Sequence, residues 1–204
     1  MTAAIGAVVV SHDSTADLPA CLEALLAAEG VVRVVVVDNA SRDGSAELVR
    51  GQADSRIILL AEGTNSGFAG GCNRGYAALA PQADILAFLN PDVAVAPDCL
   101  ARCAAALDAD LGLGGVAPLL LRPDGLTVDS VGQVLQPVTL EVRDRGYGRP
   151  AAPELLAPQP VLAPCGALAV FRRQALASVA GQLFIRASER AERIYDAMCA
   201  RGWR

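Results

Sequence analysis

The sequence is poor in the residues that build many metal and redox sites. In 204 residues His12 is the single histidine, which excludes a histidine-rich zinc site and any mechanism that needs two histidines. The six cysteines form no CxxC pair, so we expect free thiols in a reducing cytoplasm. Apolar runs stay well below the ~18 residues of a membrane span. The N-terminus has no basic region and no credible cleavage site, so we expect no secretory signal.

Lysine is absent, and all 17 basic residues are arginines set against 22 acidic ones. The resulting net charge of −5 argues against a nucleic-acid-binding protein, which needs a basic face for the phosphate backbone. With 53% hydrophobic residues, the chain is long enough for one sizeable domain and a little short for two.

Strand and helix patterns alternate through the first part of the chain. Short β-branched runs predict strands at 5–10, 34–37, 57–60 and 85–89. Apolar residues at helical spacing predict helices at 17–28, 43–52, 68–79 and 97–107. This alternation predicts an α/β fold with a parallel sheet and helices on both faces.

The composition changes after residue 112. A turn signal, Arg122-Pro-Asp-Gly125, separates two possible strands, and residues 143–160 read as a Pro- and Gly-rich surface loop. Residues 172–204 hold seven arginines and three acidic residues, a basic segment on an otherwise acidic chain. We therefore divide the chain into 1–112 and 113–204, with 184–204 atypical.

Polar residues follow each of the four predicted strands. Parallel strands present their carboxyl ends at one edge of the sheet, where ligands bind in such folds, so we expect these residues to meet. The alternative is that each cluster is an ordinary turn with a helix cap. The clusters are Ser11-His12-Asp13-Ser14, Asp38-Asn39-Ala40-Ser41, the glycine-rich stretch 65–75, and Asn90-Pro91-Asp92.

The chemistry of these clusters favours a nucleotide ligand with a cation. Asp38 can hydrogen-bond a ribose or a base, but the turn after the first strand lacks glycine, which disfavours a hydride-transferring dinucleotide enzyme. Asn90 and Asp92 supply oxygen ligands of the kind that Mg²⁺ or Mn²⁺ bridges to phosphates. The glycines of 67–75 either let a helix start approach a ligand or line a helix–sheet packing surface.

Three segments of the first part form a recognisable set of motifs: VVVVDNASRDGS at 34–45, NSGFAGGCNRGY at 65–76 and FLNPDV at 88–93. Together they resemble family 2 glycosyltransferases, most closely their bacterial rhamnosyltransferase-like branch. A looser similarity extends to Asp129-Ser-Val-Gly132 and to the segment from Cys165 to Arg173. The resemblance covers about residues 5–183 and implies a GT-A fold with a nucleotide-sugar-binding half, 1–112, and a smaller acceptor-side half, 113–204.

The resemblance also implies roles for residues. It makes Asp92 the ligand of a divalent cation, Mg²⁺ or Mn²⁺, and places Cys165 and Ala167 near the donor sugar and acceptor. It implies inversion at the sugar, and a nucleotide-diphospho-sugar donor such as dTDP-rhamnose used in cell-wall or surface-polysaccharide assembly. It assigns nucleotide-sugar binding to Ser11, Asp13, Asp38, Asn39, Ser41, Asn65, Gly67, Phe68, Asn73, Asn90 and Gly166, with Gly75 beside them.

The C-terminal segment departs from the family pattern. Arg190-Ala-Glu-Arg193 stands where the family carries Glu-Asp-x-Asp, so the proton-accepting carboxylate is missing by that alignment. Glu189 and Glu192 are weak substitutes. The segment is either a divergent version, unrelated sequence from a truncated or frameshifted frame, or part of a protein that binds a nucleotide-sugar without turnover.

Several expectations about partners follow. The resemblance implies that the acceptor is a glycan or a lipid-linked molecule. A basic C-terminal helix could rest on anionic lipid, which would bring a cytoplasmic protein to the inner face of the plasma membrane, although a solvated helix face is the simpler interpretation. A nucleotidyltransferase is disfavoured because no glycine- and basic-rich loop follows the first strand.

Overall fold

The computed structural model describes residues 3–79, 82–138 and 140–177. Its first part alternates strands and helices as the sequence predicts, with boundaries shifted by a few residues. The elements are β1 Ile5–Ser11, α1 Leu18–Ala27, β2 Val31–Asp38, α2 Ser45–Arg50, β3 Ile57–Ala61, α3 Gly67–Leu79, β4 Ile85–Leu89 and α4 Cys99–Ala109. Every residue of β1 is buried, as the apolar run 5–10 requires for a strand covered on both faces, and the burial extends to the polar Ser11.

The second part contributes shorter elements. They are β5 Gly115–Val116, β6 Leu120–Leu121, β7 Val128–Ser130, β8 Gln133–Leu135, β9 Val142–Asp144, α5 Pro153–Leu156, β10 Leu168–Arg172 and α6 Arg173–Ala177. The stretch 143–160 was expected to be a surface loop, but the short helix α5 lies within it. Leu155 explains the helix, because it is 7% exposed and packs in a small cluster with Val128 and Val131.

The main sheet has six strands in the order β3-β2-β1-β4-β10-β5. The pairs β1–β2, β1–β4 and β2–β3 are parallel, whereas β10 runs antiparallel to β4 and β5. The expected mostly parallel sheet is therefore confirmed. Two of its strands come from beyond residue 112, so the second half is built into the main sheet. The pairs β6–β7 and β8–β9 form separate two-stranded sheets.

Helices cover both faces of the sheet, as expected. Residues of α1 and α4, such as Leu22 and Leu100, pack with alternate β1 residues on one face. Cys72 and Leu79 of α3 and Leu176 of α6 pack on the other. The alternation along β1 follows from the strand period of two, which sends successive side chains to opposite faces.

The glycines inside α3 allow the helix to lie unusually close to β1. A Cβ atom built on Gly71 would lie 2.5 Å from Val10 Cγ1, and one built on Gly75 would lie 2.2 Å from Val8 Cγ1. Both contacts are closer than a Cβ atom normally makes, so a larger residue at either position would force α3 or β1 to shift. Of the two alternatives raised by the sequence, these observations favour the packing surface for Gly71 and Gly75.

Within the ranges that the structure covers, no helix combines the length and hydropathy needed to pass through a bilayer.

Candidate functional site

The carboxyl ends of β1, β2, β3 and β4 lie at one edge of the sheet. Because β10 is antiparallel, its beginning lies at this edge too, where Leu168 pairs with Leu89. The backbone N–H of Asn90 donates to the carbonyl of Ala167 at 3.1 Å. The structure therefore brings the predicted cluster after β4 next to the predicted segment around Gly166.

Ser11 and Asp38 are adjacent partners at the ends of β1 and β2. They are 0% and 3% exposed. Asp38 Oδ1 accepts a hydrogen bond from the Ser41 N–H at 3.1 Å. Asp38 Oδ2 and Ser11 Oγ are buried and have no hydrogen-bond partner among the residues described. Buried polar atoms left unpaired are rare and destabilising, so a ligand is the natural partner for this pair.

The loop after β1 is tied to the loop after β2. The Asp13 N–H donates to Ser41 Oγ at 3.0 Å, and Asp13 Oδ1 accepts from the Arg42 N–H at 2.7 Å. Asp13 and Ala40 have φ values of 49° and 60°, left-handed conformations that cost non-glycine residues about 1–3 kcal/mol. The hydrogen bonds stabilise these strained turns, which places Asp13 and Ser41 together.

Asn39 connects these loops to the start of α3. It is 2% exposed; its Nδ2 donates to the Gly67 carbonyl at 3.0 Å, and its Oδ1 accepts from Ser66 Oγ at 3.2 Å. Asn65 Oδ1 in turn accepts from the Gly67 N–H at 2.8 Å. The side chain of Asn39 is thus used to position loops, which indicates a supporting role in the site.

A cavity of about 420 Å³ opens where these loops meet. Asp13 and Asn65 are the predicted residues that line it. The other lining side chains are His12, which belongs to the predicted cluster after β1, and Arg42 and Thr64, to which the sequence assigned no role. Their proximity in sequence to the predicted clusters was the available signal. His12 Nδ1 lies 2.8 Å from the Asn39 carbonyl, which holds the imidazole at the rim.

A second cavity, of about 630 Å³, lies beside the loop after β4. It is lined by residues 92–96 and Cys99, by 119–123 and Asp129, and by Ala167 and Leu168. Asp92 is exposed here, whereas Asp38 is not among the lining residues. Asp38 and Asp92 were expected to meet; they lie at the same edge of the sheet, but Asp38 is buried and does not line the cavity that Asp92 faces.

The carboxylate of Asp92 acts on a buried thiol, that of Cys21. Burial raises the pKa of the Cys21 thiol to about 12, and the negative charges of Asp92 and Asp17 add to the effect. Cys21 Sγ lies 3.9 Å from the Asn90 carbonyl oxygen. Cys21 is thus a neutral packing residue beneath the loop that carries Asp92.

Phe68 and Gly166 are brought together by the fold, in a small apolar cavity that also involves Phe88 and Phe171. The rings of Phe88 and Phe171 meet edge to face with centroids 6.3 Å apart. Asn73 lies half-buried on α3. Glu189 and Glu192, the weak candidates for a catalytic base, lie outside the described residues.

The match to a family model identifies the class of protein to which this fold and sheet edge belong. The model of the family "Glycosyl transferase family 2" matches residues 7–179. The chain belongs to glycosyltransferase family 2.

Among curated proteins, the succinoglycan biosynthesis protein ExoO of Rhizobium meliloti is 38% identical over 103 residues, which make up 50% of this chain and 29% of ExoO. The mannosyltransferase PcManGT of Pyrobaculum calidifontis, solved with GDP-Man and Mn²⁺, has a TM-score of 0.61 at 20% identity over 87% of this chain and 46% of that one. S. aureus TarS 1-349 has a TM-score of 0.57 at 18% identity, over 91% of this chain and 55% of its own. This chain thus spans only part of the length of the proteins it matches.

Proposed function

We propose that this protein transfers a sugar from a nucleotide-diphospho-sugar to a glycan or lipid-linked acceptor in surface-polysaccharide assembly. The observation that carries the proposal is the buried pair Ser11 Oγ and Asp38 Oδ2, unpartnered among the described residues at the sheet edge. Asp38 would accept a hydrogen bond from the base or ribose, and Ser11 would bond beside it. The similarity to a succinoglycan biosynthesis protein supports the polysaccharide context.

The donor would extend along the edge from the first cavity to the second. Asp13 and Asn65 line the first cavity, so the nucleotide would lie there, with Ser41, Asn39 and Gly67 fixing the loops. Asn90 and Asp92 would lie near the diphosphate. Three further residues would border the donor, and these are Phe68, Asn73 and Gly166. In this division residues 1–112 bind the donor and residues 113–204 face the acceptor.

Asp92 is the residue that would hold Mg²⁺ or Mn²⁺. In the described ranges no cluster of three or more histidine, cysteine or acidic side chains offers a ready-made metal cage. A single exposed carboxylate still fits these ions, which commonly bind through one or two carboxylates with substrate phosphates completing the shell. A cation bound there would supply charge neutralisation at the diphosphate. The Mn²⁺ and GDP-Man in the PcManGT structure support a divalent cation together with the donor.

The finer assignments follow the rhamnosyltransferase-like motifs. We infer rhamnose as the sugar, dTDP-rhamnose as the donor and inversion at the anomeric carbon. A lipid-linked acceptor would place the protein in the cytoplasm at the inner face of the plasma membrane.

A second candidate is a homologue that binds the donor without transferring the sugar. The observation in its favour is Arg190-Ala-Glu-Arg193, which stands where the family carries carboxylates. Donor binding without release of a nucleoside diphosphate would identify this function.

Thermal shift and isothermal titration test the donor assignment. The protein is titrated with dTDP-rhamnose, UDP-N-acetylglucosamine and GDP-mannose, with and without Mn²⁺. We expect one donor to bind, with Mn²⁺ tightening its binding at least about tenfold, or 1.4 kcal/mol. Asp92→Ala should remove the effect of Mn²⁺, and Asp38→Asn should weaken binding in its presence and absence.

Asp98→Ala is the matched control, because Asp98 is an exposed carboxylate that pairs with Arg102 and does not line the second cavity. If no nucleotide-sugar binds under any of these conditions, the proposed function is wrong.

A further inference from the structure

The second cavity contains a second carboxylate, that of Asp129, contributed by a different part of the chain from Asp92. Among the residues that line this cavity, the charged ones are Asp92, Arg122 and Asp129, and most of the others are apolar. A volume of about 630 Å³ is within the range of roughly 300–1,000 Å³ typical of small-molecule sites. Two carboxylates in one cavity can bind two different reacting groups.

The β6–β7 hairpin turns Asp129 toward the cavity. Its neighbours Val128 and Ser130 are both 0% exposed, and Val128 packs against Leu155. Successive residues of a strand point to opposite faces, so Asp129 lies on the opposite face from these two. Its side chain is 41% exposed, which leaves the carboxylate accessible to a ligand.

Arg122 lies beside the Asp129 carboxylate. Arg122 Nε lies 3.9 Å from Asp129 Oδ1, a loose ion pair that does not enclose the carboxylate. The guanidinium is itself held, since it stacks 4.5 Å above the Tyr147 ring centroid and donates to the Tyr147 hydroxyl at 2.5 Å. The hairpin therefore presents a positioned and accessible hydrogen-bond acceptor.

We propose that Asp129 is a catalytic residue that binds the acceptor hydroxyl and takes its proton, an inference that rests on the proposed function. The hydroxyl oxygen forms a bond to the anomeric carbon of the donor sugar. The bond from that carbon to the diphosphate oxygen breaks, and its electron pair leaves with the nucleoside diphosphate. The hydroxyl proton passes to the Asp129 carboxylate. Asp129 thus occupies the role for which the C-terminal motif lacks a matching carboxylate.

The test measures release of nucleoside diphosphate, with water as the acceptor, from the donor that the titrations select, in the presence of Mn²⁺. The full chain is compared with Asp129→Asn, and Asp98→Asn serves as the control because it neutralises another arginine-paired aspartate outside the cavity. Isothermal titration with the nucleoside diphosphate and Mn²⁺ reports on folding and donor binding in the same samples. We expect Asp129→Asn to slow release at least about a hundredfold while the Kd changes less than twofold.

Four results would overturn the assignment. Release by Asp129→Asn within twofold of the parent would show that the proton goes elsewhere. Loss of diphosphate binding in Asp129→Asn would assign Asp129 to the donor. A loss of release in Glu189→Gln or Glu192→Gln, with Asp129→Asn active, would place the base in the C-terminal segment. Donor binding by the parent without any release would show that Asp129 does not act as a base. Absence of all nucleotide binding by the parent would instead contradict the proposed function itself.

Discussion

The two parts of the molecule are stabilised by different interactions. The strands β1, β2 and β4 have five to eight residues, and residues such as Val8, Val35 and Leu86 are fully buried. The region from β5 to β9 has strands of two or three residues and leaves Leu126 and Val138 73% and 94% exposed. The first part is therefore stabilised mainly by apolar burial, and the second depends more on turns, polar contacts and its attachment through β10.

Truncating one leucine in each region should give the largest difference. Leu100 is 0% exposed in the main core, whereas Leu155 is 7% exposed in a three-residue cluster. We expect Leu100→Ala to lower the free energy of unfolding by about 4 kcal/mol and Leu155→Ala by about 2 kcal/mol, because a dense core leaves a larger cavity. Chemical denaturation measures both. Equal losses would contradict the contrast between a deep core and a shallow one.

Adding one methyl group to a glycine tests close packing. Gly75→Ala would place a Cβ 2.2 Å from Val8 Cγ1, whereas a Cβ on Gly166 meets no atom within 4 Å. We expect Gly75→Ala to destabilise by about 3 kcal/mol through overpacking and Gly166→Ala to change stability by less than about 0.5 kcal/mol. Thermal melting of the two variants is the measurement. A neutral Gly75→Ala would mean that α3 can move away from β1.

Two fully buried serines should respond oppositely to loss of the hydroxyl. Ser11 Oγ has no hydrogen-bond partner among the described residues, whereas Ser130 Oγ donates to Asp144 Oδ1 at 2.8 Å and accepts from the Gly132 N–H at 3.1 Å. We expect Ser130→Ala to cost about 1–2 kcal/mol, and Ser11→Ala to leave the ligand-free protein equally stable or up to about 1 kcal/mol more stable.

The Ser11→Ala variant should also bind the nucleotide-sugar more weakly, as titration would measure. A Ser11→Ala protein that is less stable and binds the donor normally would assign Ser11 to the fold alone.

Asp43 and Asp124 are both exposed, but Asp43 bonds across two loops whereas Asp124 bonds within one turn. Hydrogen bonds from the Ser45 hydroxyl and the Thr15 N–H hold the pKa of Asp43 well below its usual range. In the second region, the Thr127 hydroxyl and N–H lower the pKa of Asp124. Asp43→Asn should lower Tm more than Asp124→Asn at pH 7, because Asp43 joins the loops after β1 and β2, whereas Asp124 bonds residues two and three positions away.

The pH dependence of these two variants follows from the direction of the shifts. A carboxyl whose pKa is lowered in the folded state contributes stability above its ordinary value near 3.9, and this is lost as the pH falls further. The Tm differences from the parent should therefore shrink as the pH falls below about 4. Differences that stay constant down to pH 2 would contradict the role of the ionised carboxylates.

Local patterns were enough to predict the first part of the fold. The β-branched run of β1 and the helical spacing of Leu18, Leu22 and Leu25 depend only on neighbouring residues, so the alternation and the parallel sheet could be derived. The second part was harder to predict, because β5 and β6 are two-residue strands whose pairing depends on distant partners. The helix α5 was not predicted because its four residues lie in a stretch rich in proline. Its one buried residue, Leu155, packs against Val128, which is distant in sequence.

The candidate site likewise combines features that local sequence predicts with features that depend on distant residues. The sequence placed Ser11, Asp38 and Asp92 after strands, and strand direction alone brought them to one edge. It could not show that Asn39 would be occupied in supporting Gly67, nor that Gly75 would pack on Val8. Arg122 and Asp129 joined the second cavity through the hairpin that follows β5, which no local pattern connects to Asp92.

The sequence by itself determined the order of strands and helices, the membership of the family and the residue types at the strand ends, because each depends only on short contiguous segments. The tertiary structure decided which of those residues are buried without a partner and which cavity each one faces. Those properties depend on atoms far apart along the chain, and strand pairing and helix packing bring them within a few ångströms of one another.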